Sequence, residues 1–245
     1  MSPLFDPARI EDREMTLTEH LEALRRCLII CLVATFIGTV IVWSWSGDFL
    51  AWLAKPVGGL IFLAPTEAFF TRFKVAAFGG FLLALPVILH QIWSFTACAI
   101  GEDLRRGTLL VLPASYLLFL SGVGLAIFFV IPNAVRFLMA YGSDQVQPMF
   151  AVGAYLEFVT MLGLAFGFVF QIPLVLLFLN RAGIVSYEML ASKRRYIYFA
   201  GVVMAALLTP GPDVISQIAL AVPTVLLFEA SLLIMRCTRA SCSGD

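Results

Sequence analysis

An all-α, polytopic membrane protein with six transmembrane helices is the fold class this sequence predicts, the last two helices being short and both termini cytoplasmic. Three observations carry that reading. The 245 residues are 61% hydrophobic and 13% charged with no net charge, whereas soluble globular chains are nearer half apolar and a quarter charged. Continuous apolar runs of about 20 residues recur along the chain, the length needed to cross ~30 Å of hydrocarbon; a membrane β-barrel would show short alternating segments instead. The basic residues also divide unevenly between the loops. Arg9, Arg13, Arg25, Arg26, Arg105, Arg106, Arg181, Lys193, Arg194, Arg195, Arg236 and Arg239 fall on the side of the termini, and Lys55, Arg72, Lys74 and Arg136 on the other. Loops rich in Lys and Arg stay in the cytoplasm, so the termini are expected there.

Residues 1–26 are polar and form an N-terminal cytoplasmic segment, with Thr16 or Thr18 placed to cap a short amphipathic helix containing Leu21 and Leu24. No small-residue cleavage site follows the first apolar run, so that run is expected to remain as a span. A transmembrane domain occupies 27–236. Its first span, about 27–45, ends in Trp43 and Trp45, which suit a membrane interface. Residues 46–73 read as an outer loop with interfacial helices, because the apolar patch GGLIFLAP is too short to cross. The second span covers about 74–100, followed by the charged loop GEDLRRGT at 101–108. The third covers about 109–131, and PNAVRFLMAYGSDQVQPMFAVGAY reads as the next outer loop. The fourth covers about 156–179, residues 180–195 return to the charged side, and two last runs cover about 196–209 and 216–235. Residues 237–245 form a short cytoplasmic tail. The five cysteines show no metal-ligand spacing, and Cys27 and Cys31, four apart on the first helix, read as small apolar packing residues.

The fifth run is short: 14 residues span ~21 Å of a bilayer core ~30 Å thick. The stretch TPGPDVISQ (209–217) is therefore a sharp turn near or below the outer surface. Pro210 and Pro212 stop the fifth helix, and Asp213 is placed either to cap the sixth or to act directly in function.

The stretches HLEALRR, PTEAFFTRFK, LPVILHQIWSF before the Arg105–Arg106 pair, FVFQIP and SKRRYIYF…LLTPGPDVISQ…P…LFEAS occur in an order and loop placement that resembles the TatC family of the twin-arginine protein translocase, over residues 16–235. The resemblance implies a receptor that binds twin-arginine signal peptides of folded precursors and recruits single-span TatA/TatB-type subunits. It also implies self-association in a receptor complex, transport driven by the proton-motive force, and a multi-pass location in a bacterial cytoplasmic (inner) membrane or an organellar one. It implies no enzyme, no cofactor and no nucleic acid, and the chain agrees in carrying no Walker-type loop, HExxH or GxSxG.

Reading two adjacent guanidinium groups requires carboxylates, which match them with charge-assisted bonds. At the two positions where the family carries Glu, this chain has Ala23 and Leu104; Glu22 and Asp103 lie one residue upstream of each, with Glu102 beside the latter. A one-residue shift turns a helical side chain by ~100° but is tolerable in a loop, so Asp103 is the better substitute. The same resemblance assigns Arg25, Phe95, Arg105 and Arg106 to signal-peptide binding; the bland alternative is that these acids pair with Arg25, Arg26, Arg105 and Arg106 on a solvated face. Gln91 and Gln171 are the intramembrane polar positions, and such groups face the bundle interior or a wet cavity. Thr209, Pro210, Asp213, Gln217 and Glu229 make up the turn and the polar set for partner docking, with simple inter-helix hydrogen bonding as the alternative for Thr209 and Gln217. The competing class, a secondary transporter of a small solute, predicts inverted repeats, and the two halves of the chain show no convincing self-similarity.

Overall fold

The computed structural model describes residues 17–100, 105–140, 149–209 and 214–242. Helix α1 (Leu17–Trp43) runs without interruption, so the expected amphipathic stretch and the first span are one helix. Nothing between Leu24 and Cys27 breaks it, since neither Gly nor Pro occurs there. The Thr35 and Thr39 hydroxyls each donate to the carbonyl four residues back at 2.8 Å, which satisfies them inside an apolar helix.

Helix α1 packs along α3 (Glu67–Ile100). The crossing is tight because it is built on glycine: a Cβ on Gly38 would lie 2.5 Å from the Gly80 carbonyl oxygen, and one on Gly80 would press on the Thr39 backbone. Small residues permit such approaches in membranes, where packing rather than water drives helix association. The opposite face of α1, with Leu28, Leu32, Phe36 and Val40, is exposed.

Between α1 and α3 lie α2 (Ser46–Ala54) and a tight turn at Lys55–Val57. That turn ends at Gly58, whose φ of 73° is open to glycine at no steric cost. A two-residue strand β1 (Leu60–Ile61) then pairs in parallel with β2 (Phe150–Ala151).

The third span differs from the sequence expectation. Helix α4 (Arg105–Leu125) passes through a wide π-turn (Ala126–Val130) directly into α5 (Ile131–Met139), so PNAVRFLM belongs to the helix and not to a loop. Pro132 is accommodated in the first turn of α5, just after the π-turn has already altered the hydrogen-bond register. Ile131, Ala134 and Val135 bury the inner face of α5.

The fourth span is α6 (Val152–Val169) and α7 (Ile172–Arg181), broken at Phe170–Gln171 with Pro173 in the first turn of α7. Helix α8 (Tyr187–Ser192) is capped by Ser186, whose Oγ accepts from the Met189 N–H at 3.2 Å. Helices α9 (Arg194–Leu208) and α10 (Val214–Cys242) complete the chain.

Among the described residues, five segments are long and apolar enough to cross a membrane: 20–43, 67–96, 111–139, 152–181 and 214–237. Helix α9, the remaining apolar helix of the six, has only 15 residues, about 22 Å at the usual helical rise. Shortness thus belongs to α9 alone. Helix α10 has 29 residues, because RCTRASC continues the helix past the apolar run that sets its sequence-based end.

Helix α6 is the axle of the bundle. Its Leu156, Val159, Leu162 and Phe166 are fully buried and share one cluster with Val75, Val130, Val135, Ala205 and Leu220 from the surrounding helices. A second cluster joins Leu85, Leu89 and Trp93 of α3 to Phe119 and Val123 of α4. A third sets Phe228, Leu232 and Met235 of α10 against Ile197 and Tyr198 of α9.

Candidate functional site

The six crossings alternate, so the start of α1, the end of α3, the starts of α4 and α9 and the end of α10 share one face, called here the terminal face. There the first turns of α1 meet the last turns of α3. The His20 ring lies on the Phe95 ring with centroids 4.6 Å apart and planes at 33°. The motif HLEALRR is thereby fixed against QIWSF, although the two stand 75 positions apart in the chain.

Glu22, Arg25 and Arg26 project from this part of α1 and are exposed. Cys27, the next residue, is buried and marks where α1 settles on α3. Arg105 and Arg106 open α4, while Glu102 and Asp103 lie outside the described residues. Phe95 is half-buried and holds its place through His20, a residue that the sequence reading did not single out for a role.

Inside the bundle, Gln171 sits at the break between α6 and α7 and reaches α4. Its Oε1 accepts from the Ser115 hydroxyl at 2.5 Å, and its Nε2 donates to the Ser115 carbonyl at 2.8 Å. The Ser115 hydroxyl also accepts from the Trp93 indole N–H of α3 at 3.3 Å. Ser115 is fully buried and Trp93 nearly so. Gln171 therefore faces the interior, as an intramembrane amide must, and ties three spans at one point. Ser115 and Trp93 were missed from the sequence; the signal available was a serine in an apolar span and the tryptophan of QIWSF. Gln91 is half-buried on α3, two residues before Trp93.

On the far face, the short helix α9 ends at Thr209. Its backbone is extended (φ −78°, ψ 122°), as the residue before a proline prefers. Thr209 is buried, and its hydroxyl donates to the Ala206 carbonyl at 3.3 Å. Gln217 is half-buried in the first turn of α10 beside the fully buried Ser216. Pro210 and Asp213 lie outside the described residues.

Glu229 is separated from this group. Twelve residues of helix put it ~18 Å from Gln217 along α10. There it accepts a hydrogen bond from the Tyr198 hydroxyl and pairs with Arg194 Nε at 3.4 Å. One carboxylate thus clamps the start of α9 to α10 near the terminal face, a structural partner set rather than part of the turn.

A second carboxylate organises the far face. Glu67 Oε1 accepts from the Gly153 N–H at 2.6 Å, and Oε2 accepts from the Leu63 N–H at 2.6 Å and Ala64 N–H at 3.4 Å. It stands in the first turn of α3 and caps the first turn of α6, where unpaired N–H groups favour negative charge. Nearby, the Tyr155 hydroxyl donates to the Leu53 carbonyl at 2.7 Å. The α2 loop is held to α6 by these two side chains and the β1–β2 pair. Among the described residues no cluster of three or more His, Cys, Asp or Glu could hold a metal ion.

The family model described as Sec-independent protein translocase protein (TatC) matches residues 19–223. The chain is 41% identical over 231 residues to the Sec-independent protein translocase protein TatC of Carboxydothermus hydrogenoformans, covering 93% of this chain and 95% of that protein. It is 38% identical over 226 residues to the TatC of Aquifex aeolicus, covering 89% and 93%. Its fold matches a crystal structure of the twin-arginine translocase receptor TatC with a TM-score of 0.79 and 37% identity, over 89% of this chain and 99% of the other. The six-helix bundle with its short fifth crossing and these matches lead to one conclusion: the chain belongs to the TatC family of Sec-independent protein translocase proteins.

Proposed function

We propose that this chain is the receptor subunit of a twin-arginine translocase, a multi-pass protein of a bacterial inner membrane or an organellar one. It binds the signal peptides of folded precursors at its terminal face and recruits single-span TatA/TatB-type subunits for export driven by the proton-motive force. The observation that carries this reading is the His20–Phe95 stack, which joins the HLEALRR helix to QIWSF and so to the start of α4, where Arg105 and Arg106 stand.

That platform offers exposed Glu22 and Arg25 on a rigid helix, and Glu102 and Asp103 stand in the sequence between α3 and α4. A twin-arginine peptide needs acids within reach of two guanidinium groups, and its flanking residues can rest on the Phe95 side. The skewed basic residues favour a cytoplasmic terminal face, where precursors wait. At the other end, Thr209 and Gln217 flank the turn that follows a helix too short to cross alone, which leaves room for a partner helix with its own polar residue.

The experiment is photocrosslinking of a twin-arginine signal peptide to the reconstituted protein. Asp103→Asn is expected to weaken binding more than Glu22→Gln, with a loss of about 1.5–3 kcal/mol for one charge-assisted bond, roughly tenfold or more in affinity. Unchanged binding in both variants would mean that these acids only solvate neighbouring arginines.

A further inference from the structure

We propose that α2, the turn after it and α5 form a binding site for the headgroup of an anionic phospholipid in the far-face leaflet. Trp52 of α2 meets Phe128 of the π-turn edge-on, with ring centroids 5.7 Å apart at 72°, and Phe49 joins Trp52 at 6.1 Å. Phe128 belongs to a segment that crosses the membrane. Helix α2 is therefore held at membrane depth and does not float above the bilayer.

Phe49, Trp52, Phe128 and Phe129 are all exposed, and the side of α2 away from them buries Leu53 in the core. Among the described residues nothing else covers these rings, and they continue the lipid-facing surface of the third span. Tryptophan and phenylalanine at such a level rest at the border between hydrocarbon and headgroup.

Two cations stand beyond the rings toward the far face. Lys55 follows Trp52 by one helical turn and precedes the buried Val57; Arg136 follows the buried Val135, and the two valines belong to the same core cluster. The Lys55–Val57 turn packs on α5. Arg136 lies eight residues beyond Phe128, about 12 Å along the helix toward the far face, and its long side chain can reach back to the headgroup level. Both side chains are exposed, and neither forms an ion pair among the described residues. Aromatic rings below and two unpaired cations above complement an anionic headgroup on its acyl chains.

The test uses full-length protein in vesicles with two photoreactive lipids carrying the same diazirine beside the headgroup, one phosphatidylglycerol and one phosphatidylcholine. Phosphatidylglycerol is expected to label residues 45–60 and 126–139 in preference to phosphatidylcholine. Lys55→Gln and Arg136→Gln should each cut that labelling about fivefold, from the roughly 1 kcal/mol that each basic residue contributes near an anionic surface. Both side chains are exposed, so the melting temperature serves as a control and should not move. Equal labelling by the two lipids, or labelling unaffected by both substitutions, would overturn the proposal.

Discussion

Ser115→Ala is the sharpest test of how the bundle is held together. The hydroxyl it removes accepts from Trp93 and donates to Gln171, so the change leaves an indole N–H and an amide oxygen without partners among α3, α4 and α7. Inter-helix hydrogen bonds in membrane proteins average about 0.6 kcal/mol and reach ~1.7, so losing two costs about 1–3 kcal/mol. Gln171→Leu also removes two bonds, but what remains is satisfied: Ser115 keeps Trp93 as donor and can turn its own proton to a carbonyl one turn back. That variant should lose less than about 1 kcal/mol. At about 2–4 °C per kcal/mol for a protein of this size, Ser115→Ala should melt roughly 2–12 °C below the parent in detergent, and Gln171→Leu less far below. The double variant should melt close to Ser115→Ala, because both changes break the same link. If Ser115→Ala melts with the parent, or Gln171→Leu falls further, the three-residue link is not what binds these spans.

Three other outcomes are expected. Gly80→Ala should destabilise by about 1–3 kcal/mol through its clash with α1, while Gly124→Ala, whose Cβ would meet nothing nearer than 4.0 Å, should gain about 0.5–1 kcal/mol from helix propensity. Detergent melting of the pair decides, and equal shifts would refute the tight α1–α3 crossing. Gln217→Leu should reduce crosslinking of a single-span partner helix to α9 without lowering the melting temperature; normal crosslinking would remove Gln217 from the docking surface. Ser186→Cys should resist an impermeant maleimide applied outside intact cells, and labelling there would reverse the assigned orientation.

The spans were legible because twenty apolar residues leave few alternatives to crossing a membrane, and the shortness of α9 followed from the prolines at 210 and 212. The places where the sequence misled have specific causes. Pro132 reads as the start of a loop, yet the π-turn before it lets the helix continue to Met139. Cys237 and its neighbours read as a tail because the apolar run had ended, but helix needs no apolarity once it is past the bilayer. Gln171 could be placed facing inward on energetic grounds alone. Its partner could not be named, because Ser115 is 56 positions away and a lone serine in an apolar run costs too little to attract notice. The same holds for Glu229 with Tyr198 and for His20 with Phe95, whose pairing depends on how α9 meets α10 and α1 meets α3.

The grip of Glu67 on Gly153 has a consequence for the order of assembly. The two residues are 86 positions apart, so when α3 first enters the bilayer the carboxylate can hold only its own Leu63–Ala64 segment. The β1–β2 pair and the bond from Tyr155 to Leu53 wait on the same event, since all three need the chain at 150–155. The loop around α2 is thus provisional through the synthesis of the second and third crossings, and the arrival of the fourth closes it by three independent latches at once.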